Sequence, residues 1–276
     1  MPQITADLDA PPRVAPPQEV GARRFRTFRV IGALILRETG SRESSSSLGF
    51  LWTVIDPILT TILLSAIFSL LMRQPRLGTN FELYYITGVG PFHLYSQVQN
   101  RVAGSIRFSR SLLGFPAVTV IDAIMARFLL NVFVNLVVFL ALIEGILHYY
   151  QLRDVPDIPN VLLGLAMAAA LGLGIGTLNA VLFLASPTYE SVWGIINRPM
   201  ALASGVMFLV SDLPDYIFKY LWWNPLVHVI GEMRHAFFPS YDAGYVSPAY
   251  VFMVAAVCFT LGLVGLHRYV FDALER

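Results

Sequence analysis

The sequence predicts an all-α integral membrane protein with six transmembrane helices, and three observations carry that prediction. Of 276 residues, 56% are hydrophobic and only 13% charged, with mean hydropathy +0.63. A soluble domain carries roughly a quarter charged residues, so 19 basic and 18 acidic side chains are too few for a water-facing shell. Six segments each supply the about 20 apolar residues that cross roughly 30 Å of hydrocarbon. The remaining charges gather in an N-terminal amphipathic segment, one loop between spans and one late hairpin.

Residues 1–20 hold Pro2, Pro11, Pro12, Pro16 and Pro17 without an apolar run, and read as a disordered tail rather than a signal peptide. Over residues 21–46 the pattern changes. Phe25, Phe28, Ile31 and Ile35 recur at helical spacing, with Arg23, Arg26 and Arg37 on the opposite arc. That is an amphipathic helix, too charged to span and suited to the cytoplasmic interface.

The six spans fall at about residues 48–72, 83–104, 118–147, 160–186, 189–210 and 248–270, within a membrane domain of residues 47–272. The first carries one charge, Asp56, and the fourth none. The second admits Arg101, the third Asp122 and Arg127, and the fifth Arg198; the sixth ends at His267 and Arg268. An even count places both termini on one side. With the N-terminus inside, twelve Lys and Arg fall in cytoplasmic segments against five outside, so both termini are expected in the cytoplasm. Residues 211–240 mix apolar and charged side chains, too polar for a span and too apolar for a free loop. They read as a re-entrant hairpin of two short helices broken at Asn224–Pro225.

Several chemistries are excluded or weak. Net charge +1 offers no basic field for nucleic acid, and the single Cys258 excludes a disulfide framework. No Walker A sequence, GxSxG elbow or HExxH motif is present, so neither ATP hydrolysis nor a familiar hydrolase is assigned to this chain. Gly172 and Gly176 sit inside a charge-free span without a preceding strand, which fits close helix packing rather than dinucleotide binding. His228, Glu232 and His235 share a helical face at i, i+4 and i+7, but no second motif completes a metal site, and Arg234 beside them favours pairing with Glu232.

Ionisable residues at bilayer depth are better clues, because a charge there is costly unless it meets a partner or water. Asp56, Arg127 and Arg198 are such residues; Arg127 can also snorkel to the interface, and Arg198 can pair with Glu190. Trp52, Tyr84, Tyr85, Tyr95, Trp193, Tyr220, Trp222 and Trp223 suit an aromatic belt. Any that face a channel would offer flat apolar platforms and hydrogen-bond donors to sugars. Trp222 and Trp223, about 100° apart on a helix, would not both face one channel.

Three strings carry a family resemblance: LRETGSRE (Leu36 to Glu43), LGFLW followed by Asp56–Pro57, and NPLVHVIGEMRHAFF (Asn224 to Phe238). Through them residues 25–272 resemble the membrane subunit of a type-2 ABC exporter of the capsular polysaccharide family, with Asp56 where many members carry Glu. The resemblance implies a homodimer forming a polysaccharide channel in the bacterial inner membrane, bound to two separate ATPase subunits. ATP and Mg would sit on those subunits, with no cofactor on this chain. It implies docking through the interface helix and a coupling helix at residues 105–113, hence through Arg23, Arg26, Arg107, Ser109 and Arg110. The substrate it implies is an acidic polysaccharide on a phospholipid, passed to a periplasmic adaptor and an outer-membrane channel.

Arg37, Arg42 and Arg107 are candidates to hold the anionic lipid head, since guanidinium forks match phosphate and carboxylate. Trp52, Asp56, Tyr84, Tyr85, Trp193, Arg198, Trp222, Trp223, Glu232 and Arg234 are candidates for the channel wall or mouth. Export of O-antigen or teichoic acid by the same architecture is the near alternative. A membrane enzyme of lipid-linked glycans would need clustered acids, whereas Asp212, Asp215, Glu232 and Asp242 are scattered. A drug or haem exporter would need a small hydrophobic pocket.

Overall fold

The computed structural model describes residues 26–43, 55, 58–63, 66–67, 77–78, 80–113, 118–152 and 156–274. The tail, most of the first expected span, Arg23, Trp52 and Asp56 lie outside them, as do the side chains of Arg26, Arg42 and Arg110. Among the described residues the protein is helical without strands. In chain order α1 is Arg26–Glu43, α2 Phe81–Ala103, α3 Ser105–Leu113 and α4 Val120–Tyr149. Then come α5 Ile158–Ala185, α6 Pro187–Ala203, α7 Asp215–Leu221, α8 Pro225–Phe237 and α9 Pro248–Leu274. Residues 58–63 are also helical. By length and composition α4, α5 and Pro248–Arg268 of α9 can cross a membrane.

The helix limits follow local chemistry. Thr119 opens α4 with a capping box: its hydroxyl accepts from the Asp122 amide at 3.1 Å, while the Asp122 carboxylate accepts from the Thr119 amide at 3.0 Å. Asp122 is therefore spent on the helix start. Ser186 caps α6, with Pro187 in the first turn. α6 stops at Ala203, short of the expected residue 210. There Gly205 takes φ 79°, its amide donates to Leu202 O at 3.2 Å, and the Val206 amide donates to Ala201 O at 3.4 Å. This paired closure needs a left-handed residue, which glycine supplies without strain. The expected break at Asn224–Pro225 is present: Asn224 caps α8 by accepting from the Leu226 amide at 3.1 Å, and Pro225 begins the helix.

α5 is the spine, packed against α2, α8 and α9, with α4 and α6 at its sides. Lipid chains are as apolar as leucine, so helices in a membrane associate through close packing and hydrogen bonds. Gly172 and Gly176 provide that approach to α2: a Cβ on Gly172 would stand 3.0 Å from Tyr95 O, and one on Gly176 2.9 Å from Gln99 O. Gly174, between them, abuts the Ala255 carbonyl of α9. Sequential helices run back and forth, so two ends emerge. One gathers α1, α3, the start of α4 and the start of α6; the other gathers α7 and α8.

Candidate functional site

The most specific string in the sequence, Asn224 to Phe238, is an internal brace. Asn224 caps α8 with its carbonyl, and its amide donates to Ala203 O at 3.1 Å and Ser204 Oγ at 3.2 Å, joining the start of α8 to the end of α6. His228 Nε2 donates to Trp222 O at 2.8 Å and Nδ1 accepts from the Ser247 amide at 3.3 Å, so both ring nitrogens serve the backbone. Arg234 has no solvent exposure. It donates to Phe208 O and Val206 O, each at 2.8 Å, and its guanidinium lies 4.6 Å from the Tyr84 ring centroid. A Cβ on Gly88 would come within 2.9 Å of Val206 O and 3.3 Å of Arg234 Nη2, so glycine leaves the room this brace needs.

Several expectations are thereby corrected. Tyr84, Tyr85 and Arg234, expected at a channel wall or mouth, are enclosed by the chain's own helices. Arg234 binds carbonyls rather than Glu232, and the ring of His235 donates from Nδ1 to Tyr241 O at 3.1 Å. Trp222 is held in an aromatic knot, stacked on Tyr250 at 5.2 Å and edge-on to His228 at 5.1 Å, with Nε1 donating to Tyr245 O. Trp223 is 66% exposed. Glu232 is mostly buried, beside an open cleft of about 630 Å³ that His235, Tyr241, Asp242 and Asn160 also line. Burial raises its carboxyl pKa above the ordinary value, opposed by the charge of His235 and reinforced by Asp157.

At the other end the charges meet across elements. Arg107 of α3 grips Glu190 of α6 with both terminal guanidinium nitrogens, Nη1 donating to Oε1 at 3.1 Å and Nη2 to Oε2. The alternative in which Arg198 pairs with Glu190 is not formed: Glu190 takes Arg107, and Arg198 is exposed. Ser109 is buried and Arg37 exposed. Trp193 is half-buried and stacks on Tyr189 at 6.3 Å.

Arg127 is buried among protein groups. Its Nε lies 3.4 Å from Glu38 Oε2 of α1, its Nη1 donates to Arg101 O at 3.1 Å, and its guanidinium carbon stands 4.0 Å from the Phe108 ring centroid. Arg37 lies 5.5 Å from the same ring. No sequence motif marks Glu38 as a partner of Arg127. Glu38 follows Ile31 and Ile35 at helical spacing on the apolar stripe of α1, and an acid on such a stripe is the available signal.

A helical bundle in which three helices are long and apolar enough to cross a membrane, braced at one end by a buried arginine and gathering basic helices at the other, has the form of a membrane protein. A family model described as ABC-2 type transporter matches residues 29–238, and the chain belongs to that family. It is 30% identical over 238 residues to the polysialic acid transport protein KpsM of Escherichia coli, covering 86% of this chain and 92% of that protein. It is 30% identical over 246 residues to the capsule polysaccharide export inner-membrane protein CtrC of Neisseria meningitidis, covering 87% and 91%. It is 25% identical over 214 residues to the O-antigen export system permease protein RfbA of Myxococcus xanthus, covering 75% and 79%.

Proposed function

We propose that the chain is the channel-forming subunit of an ATP-driven exporter that moves lipid-linked capsular polysaccharide across a bacterial inner membrane. The observation that carries this reading is similarity to a polysialic acid transport protein and a capsule polysaccharide export inner-membrane protein over nearly their whole length. In it, the segment containing residues 58–63 and α2, α4, α5, α6 and α9 are the six spans. α1 lies in the cytoplasmic interface, α7 and α8 form the re-entrant outer hairpin, and both termini are cytoplasmic.

Two ATPase subunits hold ATP and Mg and dock on residues 21–43 and α3, where Arg23, Arg26 and Arg110 are the contact candidates; Ser109 is buried and supports α3 from within. Arg107, clasped by Glu190, serves there by tying α3 to α6. Arg37 and Arg42 are the remaining candidates for an anionic lipid head. A second copy completes the channel. α6 has no buried residue within the chain, and Val192, Ile195, Ile196 and Leu202 stand exposed along it, which supports a role against that copy or the polymer path. Trp52, Asp56, Trp193, Arg198, Trp223 and Glu232 remain wall or mouth candidates. A periplasmic adaptor and an outer-membrane channel receive the polymer.

Deletion in an encapsulated host should abolish surface capsule, and complementation should restore it. A lipid-linked capsular glycan should co-purify with the chain and its ATPase. Unchanged capsule after deletion overturns the reading. Co-purification of O-antigen lipid selects the second reading, which the RfbA similarity favours.

A further inference from the structure

The geometry points to Arg127 as a positioning residue that joins α1, α3 and α4 into one body, so that displacement of the short basic helices is delivered directly to a membrane-spanning helix. The inference rests on the proposed function only in naming the ATPase as the source of that displacement.

Arg127 lies seven residues into α4, about 10 Å along its axis. From there the side chain reaches three other elements at once. Its Nε faces the Glu38 carboxylate of α1 at 3.4 Å, and the two side chains are 9% and 5% exposed. Its Nη1 donates to the Arg101 carbonyl in the last turn of α2 at 3.1 Å. Its flat face covers the Phe108 ring of α3. The elbow between α2 and α3 is Gly104, where a Cβ would stand 3.4 Å from Nη1, so the guanidinium fills the inside of that bend.

A buried ion pair is a poor device for holding helices together, because apolar side chains of similar volume do so without desolvating charge. What a guanidinium adds is direction. Its planar fork fixes a carboxylate, a carbonyl and an aromatic face in defined orientations. α1 packs mainly on α4, so the path from α1 into the bundle runs through the helix that carries Arg127. Packed elements shift as discrete bodies rather than by continuous deformation. A clasp from α4 onto three other helices therefore sets what moves together.

Two readouts test this on the full chain. The first places a spin label at Leu36→Cys in a Cys258→Ser background, because Leu36 is exposed on α1. Arg127→Met and Glu38→Gln should each raise the label's mobility, and Arg127→Lys should fall between them and the parent. This holds with or without the ATPase and so judges the clasp apart from the proposed function. The second measures polymer exported per ATP hydrolysed in the co-expressed complex. Each single substitution should lower that ratio about tenfold with the ATPase still bound and active. The double substitution should be no worse than Arg127→Met alone, as expected for coupled partners. Unchanged label mobility, a normal ratio in both single variants, or additive losses in the double variant would overturn the proposal.

Discussion

Two buried arginines, Arg234 and Arg127, solve the same problem at opposite ends of the molecule with different partners. Each lies against an aromatic ring, Tyr84 at 4.6 Å or Phe108 at 4.0 Å, and each donates to backbone carbonyl oxygen. Arg234 spends its two terminal nitrogens on carbonyls of one loop, Val206 and Phe208. Arg127 gives one to a carbonyl and turns Nε toward a carboxylate on a separate helix. The first arrangement pins the loop after α6 against α8 and α2 through neutral partners; the second brings a charged partner from α1, a separate helix, onto α4. Buried charge thus braces one end and couples the other.

That contrast can be broken most directly at Arg234. Arg234→Met orphans two buried carbonyls at about 1–3 kcal/mol each, and should cause the largest fall in thermal midpoint of the detergent-purified chain. Arg234→Lys should recover part of it. If Arg127→Met destabilised the chain as much while leaving export per ATP intact, the distinction between brace and coupler would be lost.

Gly176→Leu comes next. It forces a side chain into the α2 backbone and should cost about 1–3 kcal/mol or more, read by the same melting experiment; a normal midpoint would mean that the α2–α5 contact is loose. Asn224→Ala removes a helix cap and two bonds to α6, with an expected loss of about 1–2 kcal/mol, and Asn224→Asp, which keeps only the capping oxygen, should lie between.

The smallest effect belongs to the exposed latch. Glu190→Gln should shift stability by no more than about 1 kcal/mol, because a half-exposed ion pair is screened by water and salt. A large loss would place Arg107–Glu190 among the braces instead.

Much of the helical layout was legible because it depends on neighbours in sequence. Residues 105–113 were expected as a short helix through the family resemblance, and α3 has those limits. The break at Asn224–Pro225 follows from a side chain that caps and a ring that fixes φ. Gly172 and Gly176, one turn apart without charges between them, signalled close packing, and the α2 backbone lies against them. The fifth expected span was too long because hydropathy continues through Val206 and Leu209, whereas the backbone closes at Gly205.

The sites were legible as residue types, less so as roles. Arg127, Arg234 and Glu232 stood out because charges are scarce, yet their partners did not. Arg107 and Glu190 lie 83 residues apart, and nothing local links them. Tyr84 and Tyr85 looked like channel aromatics because composition does not say which way a ring turns, and both face inward.

The sequence by itself determined the solvent, the helical class and the placement of the rare charges, since each follows from transfer free energy and local backbone preference. Tertiary structure alone decided which charges meet, which aromatics are enclosed, and that Glu38 belongs with Arg127. Those outcomes depend on helices distant in the chain coming within a few ångströms, where a carboxylate, a carbonyl or a ring satisfies a guanidinium that water does not reach.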